Sequence, residues 1–300
     1  MLAPGLMSLL VATSALVQPD QVAWRGLTLR AAKLGLSTSA DLDLELVSSA
    51  AATRALNAPG RGHALQPRGD TTAVLTLNHS FLRRSTSTRV WFDPETGQAL
   101  QRLHLESGRR VRRKTFRYTT DGVDYLRRSP DTGEEGLHHS RWRHTGTDFY
   151  PFPDGMTGRP VVEPASLFYL ASACAIAAPG QSLTVPTFTR KRFDATVLEF
   201  VERRSLSVSY TEASADGERE VRGRAEAVCL GLRAQTLDGG ESDPLRLMGL
   251  QGNLELCLDA GTRIPLQLTG RFRIVGRVRA RLTRVDLRDD PPEAHSAREE

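Results

Sequence analysis

Three histidines stand close together in the segment HHSRWRH, at His138, His139 and His144, with Arg141, Trp142 and Arg143 among them. Neutral imidazoles can ligate a metal or take a proton from a nucleophile. Each use needs particular company. A metal site needs deprotonated ligands that converge, and interleaved arginines oppose a cation, so no metal is expected here. A hydrolase would need an activated serine or cysteine beside one of these bases. The chain holds no Gly-x-Ser-x-Gly, no His-Glu-x-x-His, no phosphate-binding glycine loop and no dinucleotide fingerprint. The expectation is a protein that is not an enzyme and carries no cofactor. The alternative is a hydrolase using His138, His139 or His144 as its base.

Arginine offers a different chemistry, the recognition of anions. From Gly252 to Leu287 one phase rule holds. Leu254, Leu256, Leu258, Ile264, Leu266, Leu268, Phe272, Ile274, Val278, Ala280 and Leu282 fall on even positions, while Arg271, Arg273, Arg277, Arg279 and Arg281 fall on odd ones. Side chains alternate across a strand, so this is half-buried sheet with an apolar and a cationic face. Two candidate sites follow. The apolar row, Leu254, Leu256, Leu266, Leu268, Phe272 and Ile274, could line a cavity for a hydrophobic ligand, or could be filled core. The row Arg271, Arg273, Arg277, Arg279 and Arg281 could touch an anion or could simply face water. Nucleic acid is not expected, because single-strand readers stack bases on aromatics of the cationic face and Phe272 lies on the other. As one straight strand, residues 264 to 286 would be too long for a domain of this size, so a bend at Gly270 and Gly276 is expected.

Cysteine is sparse: Cys174, Cys229 and Cys257 allow at most one internal bridge. Three unpaired cysteines are the leading expectation, because the alternation puts Cys257 on the polar face and gives Cys229 no clear phase; if the chain is exported and a bridge forms, Cys229 with Cys257 is the pair.

The elements that must position these residues are mostly strands. VAWRGLTLR, DLDLEL, TTAVLTLNHSFL and the stretch from Ser87 to Arg128 alternate and are broken by short turns such as Asp93-Pro94-Glu95-Thr96-Gly97, which predicts sequential antiparallel neighbours. Residues 48 to 71 read as a loop or as a short helix from Ser48 to Leu56. Pro164 opens a clear helix to residue 177, with Leu167, Leu170, Ala171 and Cys174 at helical spacing. Beyond it, SLTVPTF, FDATVLEF and the Leu206, Val208, Tyr210 row are further strands. The fold class expected is mainly β: a large curved antiparallel sheet, open or a half barrel, packed on one central α-helix.

The 300 residues carry a formal charge of +5. Residues 286 to 300 hold six acids and two bases, so the rest of the chain stands near +9. A basic body suits anionic partners. Residues 1–17, MLAPGLMSLLVATSALV, have the short apolar core and small residues of a signal peptide, with Thr13 and Ala15 placed for cleavage. Residues 18–288 then form a single β-rich domain and 289–300 a disordered acidic tail. No transmembrane span is expected after signal removal.

The segments LTLRAAKLGLSTSADLDLEL, RVWFDPETGQALQRL, EPASLFYLAS, SLTVPTF and LELCLDAGTRIPLQLTGRF occur in the order found in an exported, mainly Gram-negative family, domain of unknown function 3108, which the chain resembles over about residues 22 to 287. The resemblance implies a periplasmic location and a β-rich fold, and supplies no reaction. The sheet also looks like the half-barrels of periplasmic lipoprotein carriers. The functional expectation is therefore a non-enzymatic envelope protein that binds a lipid, a lipoprotein, lipopolysaccharide or another hydrophobic or anionic ligand. A hydrolase of an envelope polymer and a structural partner of another envelope protein are the alternatives.

Overall fold

The computed structural model describes residues 17–289 except 34, 35, 82, 83, 109, 110, 190, 238, 241, 273 and 274. The expected signal peptide up to residue 16, the tail from 290, and Arg273 and Ile274 lie outside the described residues. No described helix is long and apolar enough to cross a membrane.

The chain is mainly β. In order come β1 (Trp24–Lys33), β2 (Leu36–Ser48), helix α1 (Ser49–Ala55), β3 (Thr71–Phe81), β4 (Arg84–Phe92), β5 (Ala99–Ser107), β6 (Arg112–Tyr118), β7 (Gly122–Ser129) and β8 (His144–Pro151). A 3-10 turn, Pro164–Ser166, leads into α2 (Leu167–Ala173). Then follow β9 (Ser182–Thr189), β10 (Arg192–Ser214), β11 (Gly217–Gln235), β12 (Arg246–Leu247), β13 (Leu250–Asp259), β14 (Pro265–Phe272) and β15 (Gly276–Leu287). All belong to one large sheet, ordered β8-β7-β6-β5-β4-β3-β2-β1-β15-β14-β13-β11-β10-β9, with β12 beside β13. The sheet is not closed into a barrel. In its second half, β10 turns back and makes three parallel pairs with β15, Thr211↔Arg284 to Ala213↔Asp286.

The meander from β2 to β8 follows from its turns. In the Asp93 turn, Asp93 Oδ1 accepts from the Glu95 and Thr96 amides at 3.0 and 2.9 Å, and Gly97 follows at φ 73°. A Cβ at Gly97 would also press on Leu170 of α2. The same device recurs at Asp259, whose Oδ1 accepts from the amides of Gly261 and Thr262 at 3.0 and 2.8 Å. There the left-handed position is taken by Arg263, at φ 60°.

The sequence predicts one long bent strand through Gly270 and Gly276. The structure has a hairpin instead: β14 and β15 pair antiparallel, Leu268↔Ala280 and Gly270↔Val278, and Gly276 at φ 74° helps reverse the chain. The phase rule survives because this register sets even residues opposite even ones. Gly270 serves close packing, since a Cβ there would come within 2.5 Å of Leu254.

Two α-helices stand among the described residues. α1 is the short helix expected, capped by Ser48, which accepts from the Ala51 amide. α2 is shorter than the helix predicted to 177, and it is buried on every side where the spacing predicts an apolar stripe: all seven residues are buried. The sheet wraps it, so the concave face of the sheet is filled core. Its N-terminal end is approached by Glu163, which is buried and accepts from Arg102 and Tyr118. Burial pushes this carboxyl up, and Arg102 beside it opposes that shift. At the other end the Arg263 guanidinium donates to the carbonyls of Ala171, Cys174 and Ile176 at 2.8, 2.7 and 3.0 Å. These include carbonyls that a helix C-terminus leaves without partners, and the charge signs at both ends complement the helix dipole. Tyr169 donates to the Pro94 carbonyl, and Ser172 links Trp24 to the Arg263 carbonyl, each at 2.8 to 3.0 Å.

Replacing Arg263 by Met leaves buried carbonyls without donors at about 1 to 3 kcal/mol apiece before relaxation. The expected net loss of stability for Arg263→Met is about 3 kcal/mol, read from urea unfolding; a loss below about 1 kcal/mol would show that the cap does not hold the helix.

Candidate ligand-binding cleft

Residues directly opposed in a ladder share a face of the sheet. One such row crosses the strands beside β1: Ser80↔Ser39, Ser39↔Arg30, Arg30↔Arg281 and Arg281↔Gln267. It lies on the face opposite Leu29 and Leu282, which are paired and buried in the core. Two of its members, Arg30 and Arg281, are exposed arginines set one against the other.

The row lines a cleft of about 590 Å³. The other side of the cleft comes from the β10 arm, which brings Leu206, Val208 and Tyr210, all half-buried, to the same space. Serines 37, 207 and 209 and Thr38 complete a polar lining. The result is a cleft with hydroxyls and guanidinium groups on one side and an apolar strand on the other. Burial, with Glu212 and Asp259 nearby, raises the Tyr210 hydroxyl pKa, so the ring stays neutral.

A cationic groove, also about 590 Å³, adjoins it and shares Arg30, Ala32 and Arg281. Lys33, Arg277 and Arg279 line the rest, and the Lys33 ammonium donates to the Arg277 carbonyl at 2.7 Å. Arg271 and Arg277 are again directly opposed. Elsewhere on this sheet arginines meet acids: Arg284 pairs with Glu218 and Asp286, and Arg204 with Glu202 and Glu255. No described carboxylate forms an ion pair with Arg30, Arg277, Arg279 or Arg281.

The residues singled out in the sequence are divided by this geometry. Arg277, Arg279 and Arg281 come together in the groove, Arg271 sits on the same face outside it, and Arg273 is outside the described residues. Leu254, Leu256 and Leu268 pack into the core around α2, and Phe272 packs against that core from its edge. Leu266, also buried, lines the cleft, and Ile274 is not described. Most of the even row is thus packed in the core, while Leu266 and Leu282 also border the cleft beside Arg30 and Arg281. Ser39, Ser80 and Arg30 were missed because nothing local marks them; their role comes from register between strands distant in sequence.

The chain matches no family model, no curated protein and no solved structure.

Cys229 and Cys257 face each other across β11 and β13 and are joined in a disulfide, while Cys174 is free and buried. Burial pushes the Cys174 thiol up to about 12, which keeps it protonated. Glu255 lies close enough to the two sulfurs to suggest a ligand group. The sulfurs are bonded to each other, however, and Glu255 is held by Arg204.

Of the histidines, the His138 and His139 rings meet at a tilt of 50° with centroids 3.8 Å apart, and His144 lies beside Arg127. His138 Nδ1 caps the 3-10 turn His139–Arg141 by accepting from the Ser140 amide at 3.4 Å, and it lies 2.8 Å from the Ser140 hydroxyl. His139 meets Arg113 and is held down to about 4 by burial first and by Arg113, His138 and Arg128 next, which makes it a weak base at neutral pH.

Like charges directly opposite in a ladder destabilise a sheet by a few tenths to about 1 kcal/mol. Arg281→Gln is therefore expected to raise stability by about 0.5 kcal/mol, measured as a higher urea midpoint with unchanged slope. A fall in stability would mean that Arg281 is neutralised within the fold.

Proposed function

We propose that the protein is a non-catalytic component of the bacterial envelope, exported to the periplasm, which binds an amphiphile with an anionic head group: a lipid, the acyl part of a lipoprotein, or lipopolysaccharide. One observation carries the reading. An apolar row, Leu206, Val208 and Tyr210, shares a cleft with Arg30 and Arg281, and neither arginine has an acidic partner among the described residues.

The chemistry fits that class of ligand. Pockets of about 300 to 1,000 Å³ hold small ligands by apolar contact and a few placed polar groups, and the cleft falls in that range at about 590 Å³. The adjoining groove extends the cationic surface through Lys33, Arg277 and Arg279, enough to meet a head group with more than one charge. Guanidinium groups pair with phosphate through two hydrogen bonds at once. The resemblance to the exported family supports the location, as does the basic body of the chain.

Native mass spectrometry of protein purified from the envelope fraction is expected to show bound mass of lipid size. Binding to vesicles containing phosphatidylglycerol is expected to weaken about tenfold in the double variant Arg30→Gln/Arg281→Gln, and to fall with added salt. Repeated recovery without bound mass, with vesicle binding equal in the two proteins, would end this reading.

A further inference from the structure

A second cationic cleft lies at the far end of the sheet, on β6, β7 and β8. Its volume is about 810 Å³. Its floor is the face of these strands opposite the Phe116, Tyr118, Val123 and Tyr125 cluster. The registers Arg113↔Arg128, Thr115↔Leu126 and Arg117↔Asp124 set it out, continued onto β8 by Leu126↔Thr147 and Asp124↔Phe149. Residues 57–61 wall one end and His139 with Ser140 the other.

Among the described residues the arginines here form no ion pair with an acid. Arg113 ends on His139, Arg128 on the Ser140 carbonyl at 3.3 Å, and Arg61 on the Phe149 ring at 4.5 Å. Arg128 Nε is buried with no hydrogen-bond partner among the described residues. Arg117 is committed elsewhere, donating to the carbonyls of Asn57, Leu65, Leu100 and Tyr118. The two aspartates of the lining are also engaged, Asp124 by the Gly60 amide and Asp148 by Tyr150 and Lys191. Burial and the Arg128 charge both lower the Arg113 pKa.

Two half-buried arginines directly opposed in a ladder carry an energetic penalty unless an anion joins them. Their Cβ atoms start about 5 Å apart, so both guanidinium groups can reach separate oxygens of one tetrahedral anion. A phosphate group, with a charge near −2 and three acceptor oxygens, matches that pair better than a carboxylate. The cleft is too large for the ion alone, and Leu126 and Phe149 give it an apolar wall for the group that carries the phosphate.

We propose that the cleft between residues 57–61 and the His139 turn is a second binding site, which takes a phosphate monoester or a phospholipid head group on Arg113 and Arg128, with Arg61 and Ser140 at its rim. This site is separate from the cleft beside β1, and its occupancy does not depend on the reading given for that one.

The test uses the Arg30→Gln/Arg281→Gln chain, which removes two cations from the other cleft; Lys33, Arg277 and Arg279 remain beside it, so only binding that depends on Arg113 and Arg128 is counted. Titration calorimetry with pyrophosphate is expected to give one site with a dissociation constant below about 1 mM. Adding Arg113→Gln or Arg128→Gln is expected to weaken it about tenfold, while thermal unfolding shows the fold kept or stabilised. Glucose 6-phosphate and vesicles containing phosphatidic acid, whose head group is a phosphate monoester, then separate the sources. Whichever depends on Arg113 and Arg128 identifies the carrier as soluble or lipid. No binding of any of the three, or binding indifferent to both added substitutions, would overturn the proposal.

Discussion

A helix enclosed by a sheet cannot leave its terminal carbonyls to water, and this constraint governs the centre of the molecule. Buried backbone groups without partners are costly. Here the answer is a single arginine in a backbone conformation that ordinarily selects glycine. The turn at Asp259 could take glycine as readily as the turn at Asp93 does. Arginine stands there because its guanidinium reaches the Ala171, Cys174 and Ile176 carbonyls. Its own carbonyl accepts from Ser172, which in turn accepts from Trp24 on β1. The first strand, the helix end and the β13–β14 turn are therefore one connected polar structure inside an apolar core.

The helix is buried in the core, and the two clefts are lined by residues outside it. Cationic residues line both. Arg102, Arg117 and Arg263 are drawn inward and satisfied by Glu163 or by carbonyls, and many surface arginines meet acids. Among the described residues several arginines form no ion pair, and two directly opposed pairs of them, Arg30 with Arg281 and Arg113 with Arg128, each border a cleft. An uncompensated charge has an energetic cost that a fold would ordinarily avoid, and its coincidence with a concave surface is what separates these arginines from a solvated face.

Much of the architecture was legible in the sequence. Alternation and turn residues mark the strands from β2 to β7, the even-numbered row from Leu254 to Leu282 marks the core side, and Pro164 marks the start of the helical segment. What could not be read has a common physical origin. The pairing of β1 with β15, the return of β10 to β15 and the register that aligns Ser80 with Gln267 depend on residues far apart in the chain, on which local periodicity is silent. The reversal at Gly276 was mistaken for a bend because even-to-even register leaves the phase unchanged on either path. The spacing of Leu167, Leu170, Ala171 and Cys174 predicts one apolar stripe, whereas the other residues of the helix are buried as well and Ser172 serves the polar network.

The pairing of Trp24 with Leu287 places the first and last strands side by side. Strands β2 to β8 meet their neighbours in chain order and can assemble as each hairpin emerges, whereas β1 has only β2 beside it until the final strand is available. Non-local closure is slow, because ordering the intervening chain precedes the contacts that reward it. Assembly is therefore staged: a locally paired meander forms early, and the helix is enclosed only when the chain is complete. Loss of residues from β15 would then act as a folding defect and not as the trimming of an edge.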